Sequence, residues 1–199
     1  MSGQDNIHFF TNWARERLDE MDATLTSLDD KAAEVQADAR EKAGKVLAEL
    51  RKNRDEFRDA IKKQAGANEA AWTSAKTGLE TDWRAFEAEV KKYVESYGKQ
   101  FELQQATFKL QAAAQLKAWR DAADKLASAA SEFASERRDE IETSLKRMKA
   151  DAVAAEEKLL KLNQAGNQSW SVLTDALTET RAVFDRANQA AREAFKRAT

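Results

Sequence analysis

Apolar residues recur along this chain at alternating steps of three and four. The first run reads Leu18, Met21, Leu25, Leu28, Ala32, Val35, Ala39, Ala43, Val46, Leu50, Phe57 and Ile61, with Arg54 interposed. A period near 3.6 predicts an amphipathic helix. Extra four-residue steps near Ala39 and Leu50 place it between a heptad and a hendecad, so supercoiling should be weak. A second run starts at Trp72 and continues through Ala75, Leu79, Trp83, Phe86, Val90, Tyr93, Tyr97 and Phe101. It passes Phe108, Ala112, Trp119, Leu126, Ala130 and Phe133 and reaches Ile141, Leu145, Met148, Ala155, Leu159 and Leu162. Its phase is kept across Gly98, and a lone helical glycine costs only about 1 kcal/mol against alanine. The pattern therefore predicts one central helix over 68–163, roughly 140 Å long. The last run, Trp170, Leu173, Leu177, Phe184, Ala187, Ala191 and Phe195, predicts a third helix.

Two segments read as turns, Gln64-Ala65-Gly66-Ala67-Asn68 and Gln164-Ala165-Gly166-Asn167-Gln168-Ser169. Each offers a glycine for a left-handed helix C-terminus and then Asn or Ser to cap the next helix. The expected fold is all-α: long antiparallel coiled-coil hairpins of three helices, or an elongated four-helix bundle if the chain breaks at Gly98. A shift of 98 residues superposes Leu28 on Leu126, Leu79 on Leu177, Phe86 on Phe184 and Trp72 on Trp170. Any two heptad stripes stay in phase under such a shift. The stronger sign is the shared Gln-Ala-Gly turn leading to Trp, Leu and Phe. Two helical-hairpin repeats, 1–98 and 99–199, are expected, joined through the central helix.

Composition sharpens this picture. Proline and cysteine are absent and glycine numbers six in 199 residues, which suits few, long helices without disulfides or thiolate metal sites. Charged residues are 34% of the chain, which would suit disorder, but the aromatic residues sit in register with the stripe. The net charge of -2 argues against nucleic acid as a partner. No cationic stretch leads into an apolar run and no segment reaches transmembrane length, so the expected location is cytoplasmic.

Little of this sequence looks chemical. His8 is the lone histidine, and triads, imidazole metal sites and di-iron bundles need further partners. Asp29-Asp30 and Glu156-Glu157 point about 100° apart on a helix and suit a solvated face. The basic groups Arg51-Lys52-Arg54, Arg137-Arg138 and Lys146-Arg147-Lys149 are each flanked by acids. No phosphate loop, nucleophile elbow or zinc spacing occurs. No cofactor and no enzymatic activity is expected.

The aromatic residues carry the remaining signal. Trp83, Tyr93, Tyr97, Phe101, Phe108 and Trp119 crowd the central stripe, and Phe9, Phe10 and Trp13 form an apolar knot near the start. The stripe reads either as core packed on 18–61 or as an oligomer or partner interface. The knot reads as a helix staple or as a short anchor. Ala-rich amphipathic helices with mixed-charge faces, and the closing Asn167-Gln168-Ser169-Trp170 through Phe184-Asp185-Arg186-Ala187, resemble bacterial phasins, which coat polyester granules. The same pattern is similar to apolipoprotein-like helical proteins, which lie on lipid, although the prolines that punctuate those repeats are missing. Two functions are expected to compete. One is an elongated homo-oligomeric scaffold or filament subunit, with a protein partner possible. The other, implied by the resemblance, is a coat on a lipid or granule surface.

Overall fold

The computed structural model describes residues 2–97, 100–133, 135–165 and 168–198, and the side chains among them except those of residues 2–8, 69, 100, 101 and 135–137. Six helices follow one another: α1 (Ser2–Lys31), α2 (Arg40–Lys63), α3 (Glu69–Tyr97), α4 (Gln100–Ala130), α5 (Ser135–Gln164) and α6 (Trp170–Ala198). A single 3-10 turn, Ala32–Glu34, follows α1. The chain is all-α, and among the described residues six helices stand where three or four were expected.

The stripes are cut where the sequence offers neither proline nor glycine. After the 3-10 turn Val35 is extended, with φ -65 and ψ 136, and α1 cannot run on into α2. Arg40 then reaches back, and its Nη2 donates to the carbonyls of Ala33 and Val35, both at 3.3 Å. The second break has the same lock. Arg138 Nη2 donates to the carbonyls of Ser131 and Phe133 at 3.1 and 2.8 Å. These carbonyls lie at a helix end and have no intrahelical partner, so a guanidinium replaces the usual glycine cap. The helix expected over 68–163 is thereby interrupted between Ala130 and Ser135. Gly98 lies outside the described residues, and with it the expectation of continuity there.

The first predicted turn has the predicted chemistry. Gly66 takes φ 84. Asn68 Oδ1 caps α3 by accepting from the Ala71 amide at 3.0 Å. In the second turn, Gly166 and Asn167 are outside the described residues, and the Leu173 amide donates to the Ser169 carbonyl at 3.2 Å.

Side-chain pairs give the helix directions. Ser27 meets Thr107, Thr24 meets Gln111 and Glu20 meets Gln115, so α1 and α4 run antiparallel. Arg17 with Asp185 and Arg181 with Glu20 set α6 antiparallel to α1. Arg51 with Asp29, and Arg54 and Arg58 with Asp22, set α2 antiparallel to α1. One apolar core joins α1, α2 and α3 around Met21, Leu50, Phe57 and Phe86. Another joins α4, α5 and α6 around Leu126, Ile141, Met148 and Phe184. Fully burying one such side chain contributes about 2 kcal/mol. Among the described residues no helix is long and apolar enough to cross a membrane.

Candidate functional site

Charge is buried where α1, α3 and α6 meet. Successive turns of α1 carry Glu16, Arg17 and Glu20 inward, all at most 4% exposed. From α6, Arg181 donates from Nη2 and Nε to Glu20 at 2.8 and 3.1 Å, and its Nη1 lies 2.8 Å from Glu87 of α3. One guanidinium thus ties three helices. Arg17 bonds its neighbour Glu16 through Nη1 and Asp185 of α6 through Nη2, the latter at 3.1 Å. The guanidiniums also stack on indoles. Arg17 lies 5.5 Å from the Trp13 ring centroid and 5.7 Å from that of Trp83, and Arg181 lies 5.1 Å from Trp83.

Four acids face two arginines in this cluster, and burial raises the pKa of three of them. It pushes Glu16 up to about 8 against the pull of Arg17, with Glu20 and Asp185 adding to the rise. It raises Glu87 despite Arg181, and Asp185 despite Arg17. For Arg181, burial alone would lower the pKa, but the Glu20 and Glu87 carboxylates overcome it and hold the guanidinium charged.

The cluster continues as a polar seam between α1 and α4. Gln115 Nε2 donates to Glu20 and to the Leu177 carbonyl at 3.2 and 3.3 Å. Gln111 Nε2 donates to Thr24 Oγ1 at 2.7 Å, and the hydroxyls of Ser27 and Thr107 are 2.9 Å apart. Such a seam fixes the register of two helices that apolar contacts alone would let slide. Above it, between α3 and α6, lies a cleft of about 590 Å³ lined by Trp83, Phe86, Val90, Trp170, Gln111 and Arg181.

The sequence-predicted aromatic residues sit mainly inside the body. Phe9, Phe10, Trp13, Trp83, Tyr93, Phe108 and Trp119 are each at most 8% exposed. Tyr97 is half-buried against the first core, with its ring 5.2 Å from that of Tyr93. The Phe101 side chain is outside the described set. Phe9 packs edge-on to Phe195 of α6 at 5.8 Å and joins the second core, whereas Phe10 and Trp13 belong to the first. Trp119 donates through Nε1 to the Met148 carbonyl at 3.1 Å. The charged cluster escaped sequence reasoning, because Glu16, Arg17, Glu20 and Arg181 form no motif in the sequence and come together only in the fold. A usable signal was their place beside the stripe, since Glu20 adjoins Met21 and Arg181 follows Leu177 by one turn.

Among the described residues no group of acids or histidine could hold a metal ion. No protein-family model, curated protein or solved structure matches this chain.

Proposed function

We propose that this protein is a non-enzymatic interaction module that self-associates through the outer face of α5. The observation that carries the reading is the pair Val153 and Leu160. They are 56% and 49% exposed, and among the described residues the other large apolar side chain this open to solvent is Val172 of α6, at 41%. They lie seven residues apart, the repeat of a coiled-coil seam. Lys146, Ala150 and Glu157 fall between and before them at steps of four and three, so two copies of α5 could pair with apolar and charged positions alternating. Next to Val153 a groove of about 360 Å³ opens between α4 and α5 over Trp119, Ala123 and Ala152. In this reading the coiled-coil, homo-oligomeric scaffold expected from the sequence would use that one helix face. The aromatic residues serve the monomer's own core. A coat on lipid or polymer would need those buried stripes to open, and the exposed face gives it less support.

The absence of cysteine makes the test direct. Single-cysteine variants Val153→Cys and Leu160→Cys should form disulfide-linked dimers under mild oxidation at micromolar concentration. Lys45→Cys, on the exposed face of α2, should not. Equal cross-linking at all three positions, or none at 153 and 160, contradicts the reading.

A further inference from the structure

The cleft between α3 and α6 has a counterpart that is already filled. The two break locks lie 98 residues apart, as Arg40 and Arg138 with the carbonyls of 33 and 131, and of 35 and 133. With the antiparallel α1–α4 pair at the centre, this offset sets Trp13 of α1 against Gln111 of α4 and Lys76 of α3 against Thr174 of α6. At the filled end, Trp13 is 5% exposed and Lys76 Nζ lies 5.5 Å from its ring centroid. At the other end the indole is missing, and Gln111 and Thr174 line open space of about 590 Å³.

Gln111 is fixed in one orientation. The Thr24 hydroxyl donates to the Glu20 carbonyl at 2.7 Å, so toward Gln111 it can only accept. Gln111 therefore presents its amide N–H to Thr24, at 2.7 Å. Its Oε1 is left buried with no hydrogen-bond partner. A buried acceptor without a donor is destabilising, and a ligand that supplies the donor removes that cost. One wall is aromatic, with Trp83 and Phe86 stacked at 6.0 Å beside Trp170, and charged side chains such as Glu87, Lys91 and Arg181 line the rest. The size is that of a small-molecule site.

We infer that this cleft binds a small free aromatic molecule bearing a ring N–H or O–H, of the indole or phenol class, in the seat that Trp13 occupies at the opposite end. The ring lies against Trp83, Phe86 and Trp170, and its donor turns toward Gln111 Oε1.

The test is ligand-observed saturation-transfer NMR on the full chain with indole, p-cresol and, as a donor-free control, toluene. Indole and p-cresol should bind in the millimolar range or tighter, with toluene several-fold weaker. Gln111→Trp should abolish binding without lowering Tm, because the chain then supplies its own indole. Thr174→Trp, which fills the cleft from the opposite wall, should weaken binding and serves if Gln111→Trp misfolds. Gln111→Leu should keep toluene binding and lose the preference for donors. No transfer from any ligand with the wild-type chain, or unchanged binding in the filled variants, overturns the inference.

Discussion

Glu16 is a carboxyl 1% exposed on α1, held by burial at a pKa of about 8 rather than 4.5. The folded state therefore binds its proton more tightly than the unfolded chain does. The stabilisation is complete below about pH 4.5 and is lost as pH rises through 8, at up to about 1.4 kcal/mol per unit. Glu87 and Asp185 are raised in the same sense and add to the slope. Urea midpoints should fall between pH 5 and 8. Glu16→Gln, which mimics the protonated form, should flatten most of that fall, and parallel curves for the two proteins would show that Glu16 titrates normally. Arg181 is the complementary case. Arg181→Met leaves Glu20, 0% exposed, without its guanidinium and should cost about 3–5 kcal/mol. Adding Glu20→Gln to it should restore much of the loss, because the charge left unpaired is then gone. A double-mutant cycle in denaturant with no coupling between the two sites would remove the pair from the account.

At the scale of the elements, the two breaks separate what the sequence showed from what it did not. Periodicity placed positions such as Leu28, Leu50, Phe86, Phe108, Ile141 and Leu177 in the cores, and Gly66 with Asn68 placed the first turn. The breaks after Lys31 and Ala130 were not legible, because Arg40 and Arg138 cap carbonyls that a glycine usually terminates. An arginine four or more residues past a helix end looks like any surface arginine until the chain folds back. Arg138→Ala should weaken the α4–α5 junction by about 1.5–3 kcal/mol, the range for hydrogen bonds to a charged group. Arg40→Ala should act alike at the α1–α2 junction, and the two losses should add because each lock bonds only its own junction. Hydrogen exchange would locate the effects, and protection lost evenly along the chain would argue against local locks.

For the molecule as a whole, helices of about 30 residues fold back on one another instead of extending as a rod. The aromatic side chains that looked available for partners, Trp83, Tyr93, Phe108 and Trp119 among them, are buried in the cores. That outcome needed knowledge of which stripe faces which. Two stripes of equal period can pair within one chain or between chains, and periodicity does not distinguish them. The outward face with two exposed large apolar side chains at a heptad spacing is that of α5, and self-association through it is the central functional claim. Sedimentation equilibrium over a wide concentration range tests it most directly. The wild-type mass should rise above the 22.3 kDa of one chain as concentration increases, while Val153→Lys/Leu160→Lys stays at the single-chain mass with unchanged helicity. A wild-type chain that keeps the single-chain mass throughout, or a double variant that associates as well as wild type, would contradict it.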